Sequence, residues 1–164
     1  MAGPIGTLGA IPTITVGGRV FTDLTNLKIL TGTANSGVAN YTSLKNASLN
    51  ATRGVYVVPA AKTFILHAVR WIQNGTTTAS ALGGLFYGDT DLGETAAGPL
   101  TNPVGVVSGV AGIAQLADLF ITHSGTPGSD NERAIGGSVP TGKYPHFYTN
   151  AGYALSLFAY GYEI

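Results

Sequence analysis

Residues 54–74, GVYVVPAAKTFILHAVRWIQN, end in an apolar run that has no polar face. Val55, Tyr56, Val57 and Val58 suit a pleated, half-buried surface and predict a short strand. Pro59 cannot donate to a ladder and ends it, and Pro59-Ala60-Ala61-Lys62 reads as a turn. Residues 62–73 then predict a long strand. Simple alternation puts Phe64, Leu66, Ala68 and Ile72 on one face and Ile65, His67, Val69 and Trp71 on the other. A strand with one wet face alternates apolar and polar residues. Both faces of this one therefore need cover, from another sheet, from the N-terminal segment or from another subunit. Arg70 stands among these apolar residues and is expected beside a carboxylate or at an interface rim.

Composition extends the argument outward. Only 10% of the 164 residues are charged, against about 25% in an ordinary soluble domain. Eight basic and eight acidic side chains cancel. A charge-poor surface resists association weakly, which points to protein contacts; the alternative is a compact Thr/Asn/Gly-rich surface kept soluble by neutral polar groups. The basic residues are scattered, so nucleic acid is not an expected partner. No apolar run reaches the roughly 18 residues of a membrane span, and no membrane partner is expected. Without cysteine there are no disulfides and no Cys-based zinc sites. The first residues lack the pattern of a secretory signal, so synthesis in a cytoplasm is expected.

Two regions are distinguished, residues 1–52 and residues 53–164. The first is rich in Gly, Thr, Asn and Ala. Pro12 makes residues 11–16 an extended arm or edge strand, Gly17-Gly18 a turn, and residues 19–22 and 27–30 strand-like. This region is either an arm lying across a neighbour or the domain body, or a set of ordinary terminal strands. In the second region, Asn74-Gly75 signals a hairpin. Residues 79–87 form a strand, with a bulge or close approach expected at Gly83-Gly84. Residues 88–103 read as a long polar loop, residues 104–110 as a strand and residues 124–140 as a second long loop. Residues 113–121 fit helix or strand. The last strand is apolar on both faces, with Tyr153, Leu155 and Leu157 against Phe158, Tyr160 and Tyr162. Many short strands with frequent turn signals predict an all-β fold: an antiparallel β-sandwich of jelly-roll or Greek-key type, with an extended N-terminal arm.

Three stretches together carry a resemblance. Residues 57–74, residues 88–93 (GDTDLG) and residues 160–163 (YGYE) resemble, in that order, the "VPAGKTF…NG" hairpin, "GDxDxG" loop and closing aromatic strand of small jelly-roll structural proteins of tailed-bacteriophage virions. The likeness covers residues 54–164. It implies an oligomerising jelly-roll module on a virus particle, commonly a trimer, of head, tail or fibre. The chain departs from the pattern at Ala61, where glycine is usual, so a different turn geometry is expected there.

Catalytic patterns are missing: the sequence has no GxSxG elbow, and His67, His123 and His146 lie far apart with no HExxH spacing. His67 reads as a core or interface residue, His123 and His146 as polar rim residues. Asp89, Asp91 and Glu94 are the weak candidates for a metal such as Ca²⁺, which takes six to eight oxygens. The simpler reading is a turn in which the two aspartates accept backbone N–H groups. No cofactor and no enzymatic activity are expected. Tyr87, Tyr144, Phe147, Tyr148, Tyr153, Tyr160 and Tyr162 could stack on sugars or bury at protein interfaces. The interface candidates are Arg70, Trp71, Phe158, Tyr160 and Tyr162. The expected function is a virion structural protein, a homotrimeric capsid decoration or cement protein contacting the major capsid protein or another virion protein. The alternative is a tail or fibre module that binds a host-surface glycan.

Overall fold

A computed structural model describes residues 10–34, 40–48, 54–73, 81–89, 91, 96–97, 114–121, 130–149 and 155–164. The described elements are all strands: β1 (Ile14–Val16), β2 (Arg19–Phe21), β3 (Leu27–Ala34), β4 (Asn40–Ser43), β5 (Lys45–Asn46), β6 (Phe64–Gln73), β7 (Ala81–Gly88), β8 (Ala96–Ala97), β9 (Ala114–Ile121), β10 (Asp130–Val139), β11 (Tyr144–Thr149) and β12 (Leu155–Glu163). They make two five-stranded antiparallel sheets, β10-β6-β12-β3-β5 and β8-β4-β11-β7-β9, and a separate β1-β2 hairpin. The pairing of the longer strands is nested. β3 pairs with β12, β4 with β11, β6 with β10 and β7 with β9.

One core lies between the two sheets. Leu30, Phe64, Leu66, Trp71 and Leu157 meet Leu85 and Phe147 of the opposite sheet, with Leu44 and Tyr56 beside them. Full burial of such a side chain contributes roughly 1.5–3 kcal/mol. The residues before β3 belong to a different cluster, described below. Ladders cross the division drawn between residues 52 and 53: β3 and β4 are integral strands of the two sheets.

Local chemistry accounts for two of the described turns. Gly17 and Gly18 both take positive φ, 57° and 80°, as the tight β1-β2 turn requires. At Pro59–Lys62 the turn closes with the Lys62 amide donating to the Pro59 carbonyl at 3.2 Å. Ala61 occupies the left-handed region, φ 57°, which corrects the expectation of another geometry. The surrounding bonds impose that conformation: Val58 donates to Lys143, Gly142 to Val58, and Thr63 exchanges bonds with Ile164.

Three further expectations change, and one open alternative is settled. Residues 55–58 are not a regular strand; Val55 makes a single bridge to Lys45, and Tyr56 donates to Leu44. The segment follows the edge between the sheets instead of extending a ladder. Residues 130–139, read as loop, are the ten-residue strand β10. Its polarity is that of an outer strand whose backbone bonds come from β6. Residues 114–121 are a strand. The irregularity in β7 falls between Leu85 and Phe86, since Gly83 and Gly84 stay in register with Thr149 and Tyr148. Residues 74–75, 104–110 and 153 lie outside the described residues.

Candidate interface on the outer face of the sheet

The long strand does not alternate strictly. Between β6 and β12 the pairing passes from Leu66–Gly161 to Ala68–Tyr160, which leaves His67 as the extra residue of a β-bulge. The bulge changes the phase of the side chains. Phe64 and Leu66 face the inter-sheet core before it, and Val69 and Trp71 after it. His67 and Ala68 both face outward, so the two faces derived from simple alternation are corrected.

Gly161 makes the bulge possible. A Cβ there would strike the Ile65 carbonyl oxygen and stand 2.7 Å from the Phe64 ring.

The outer face is covered by the N-terminal segment, one of the three covers the sequence allowed. Val16 and Phe21 of the hairpin bury against Leu27, Ala68 and Tyr160, with Phe158 and Tyr162 packed at the margin. Phe21 lies 5.9 Å from Tyr160 and 6.1 Å from Tyr162, ring centre to ring centre. The hairpin also reaches β10. The Gly17 amide donates to Glu132 Oε2 at 2.9 Å. Gly17 has no room for a side chain, since a Cβ would stand 2.8 Å from Arg133 Cα and closer still to the Ala134 amide.

Arg70 is paired as expected. Its Nε donates to the two Asp130 carboxylate oxygens at 2.9 and 3.1 Å, and Nη2 also contacts Asp130. Glu132 stands 3.9 Å away, and the Tyr160 hydroxyl is within hydrogen-bonding reach. The bonds to Arg70 hold the Asp130 carboxyl below its ordinary range, while burial pushes the Tyr160 hydroxyl up. Of the five interface candidates, Arg70, Phe158, Tyr160 and Tyr162 share this outer face. Trp71 does not: it is 8% exposed and belongs to the inter-sheet core.

Exposed apolar side chains lie on and ahead of the hairpin, with Ile11 75% and Val20 61% exposed. Val57 and Ile164 are exposed elsewhere.

Asp89 and Asp91 follow β7 of the other sheet. Asp89 is exposed and paired with Lys143, and Asp91 is exposed. Glu94 and His123 lie outside the described residues. Among the described residues no three metal-ligating side chains converge.

His146, read as a rim residue, is fully buried instead. Strand β11 sits between β4 and β7, so His146 is in the middle of a sheet. Its Nδ1 is 3.3 Å from Ser43 Oγ, and its Nε2 has no partner among the described residues. Burial pushes this imidazole down to about 4, opposed weakly by Asp91. Ser43 is 1% exposed. A serine beside a histidine is thus present, and both side chains are buried.

Of the other aromatic candidates, Tyr144 is half-buried. Phe147 and Tyr148 are buried, and Tyr87 packs against the core. Comparisons of the chain with protein-family models, with curated proteins and with solved structures find no match.

Proposed function

We propose that this chain is a structural protein of a tailed-phage virion: a jelly-roll β-sandwich that oligomerises, as a trimer, and reinforces the capsid as a decoration or cement protein. The nested pairing of β3 with β12, β4 with β11, β6 with β10 and β7 with β9 supports the jelly-roll reading, because rolling one long hairpin produces that order. The resemblance of residues 57–74, 88–93 and 160–163 supports the virion context.

One observation carries the choice of a structural role over glycan binding or catalysis. Among the described residues, Phe147, Tyr148, His146 and Ser43 are buried and Tyr160 lies beneath the hairpin, so these side chains are withheld from a sugar or a substrate; Asp89 is exposed but tied to Lys143. Of the large apolar side chains exposed among the described residues, Ile11 and Val20 lie close to the N-terminus. This suits a contact with protein, and the arm of the assembly is the stretch ahead of β1.

The test is reattachment to particles stripped of the protein. The intact chain coats them and restores their resistance to heat. A chain lacking residues 1–9 keeps its fold and its oligomeric state but coats poorly. A monodisperse monomer that never associates with particles refutes the proposal.

A further inference from the structure

We propose that the β1-β2 hairpin is a pH-released strap, freed from the sheet when His67 is protonated. The hairpin is held by a side-chain seam and by Glu132, and among the described residues no ladder joins it to either main sheet. His67 stands in that seam. As the extra residue of the bulge, it is turned to the same side as Ala68, beneath the hairpin. Its ring meets Phe21 of β2 edge-on at 6.4 Å and Tyr162 of β12 at 5.7 Å.

The charged and titratable neighbours are known from each packed element. β2 brings Arg19, whose charge acts directly on His67. β12 brings Tyr162, and Asp23 of the β2-β3 connection faces Tyr162. The nearby β10 carboxylates have other partners: Glu132 accepts from Gly17, and Asp130 holds Arg70. Protonating His67 therefore places a second cation beside Arg19 in a seam lined by aromatic rings.

Burial and Arg19 both lower the affinity of the docked imidazole for a proton. The released state thus binds protons more readily, and docking weakens as pH falls through the ordinary histidine range near 6.5. Release uncovers Ala68, Tyr160 and the neighbouring face of Phe158, an apolar surface that the neutral protein conceals.

The experiment is amide hydrogen exchange on the intact protein between about pH 7.5 and about pH 5.5, corrected for intrinsic rates, with NMR titration of His67 alongside. Protection of residues 14–21 should fall by up to about tenfold for each unit by which docking lowers the imidazole's pKa. β12 should stay protected, and the midpoint should track His67. In His67→Gln the response should vanish. Asp130, held below 3.8, and His146, near 4, keep their charge states across this window. Hairpin protection that is constant, that rises in acid through cation–π contacts with Phe21 and Tyr162, or that follows another group overturns the proposal.

Discussion

Gly161 lies directly against the bulge in the neighbouring strand, with the edge of the Phe64 ring 2.7 Å from the point where any side chain would begin. This contact links two distant parts of the chain, since only a residue without Cβ on β12 lets β6 bulge at His67 and change the phase of its side chains. Gly161→Ala is expected to cost about 1–3 kcal/mol, and more if the bulge cannot shift, because the atom opposed is backbone. Thermal unfolding should show a fall of several degrees in Tm.

Gly17 has a comparable constraint with a local consequence. A methyl group there collides with the β10 backbone at Arg133 and Ala134, whereas one on Gly18 meets nothing. Gly17→Ala should loosen the hairpin and leave the two main sheets intact. Limited proteolysis should then cut near residues 10–22 in this variant, and Gly18→Ala should show only the roughly 1–2 kcal/mol cost of positive φ.

Ala61 gives the opposite sign. It is exposed, and its φ of 57° is unfavourable for an L-residue. Ala61→Gly relieves about 1–2 kcal/mol of conformational cost and adds about 0.5–1 kcal/mol of chain entropy. The denaturant midpoint should rise slightly with an unchanged slope.

His146 makes stability depend on pH. Burial brings its pKa from 6.5 down to about 4, so the unfolded chain takes up a proton that the folded chain refuses. The contribution of His146 to stability should be constant above about pH 6.5, decline as pH falls toward 4, and level off below it, for a loss on the order of 3 kcal/mol. Urea unfolding of wild type and His146→Gln across this range checks it: the variant should lose most of the slope.

Sequence reasoning reached the parts of the fold that local chemistry decides. The Gly17-Gly18 turn, the need to cover both faces of the long strand and the pairing of Arg70 with a carboxylate follow from residue type and neighbours. It missed what depends on distant partners. Strand β10 is Gly-, Ser- and charge-rich because an outer strand takes its order from β6, leaving no apolar period to read. The bulge at His67 depends on Gly161. His146 looked superficial because its polarity was visible and its central place in the sheet was not, although its neighbours Phe147 and Tyr148 were a signal that β11 is enclosed.

The measurement closest to the central proposal is electron cryomicroscopy of intact particles that carry this chain. The structural reading predicts density for a jelly-roll trimer at regular positions on the capsid surface, with the residues before β1 running onto neighbouring protein. Density confined to a tail tip or fibre, or capsid surfaces that bind none of the chain, would contradict it.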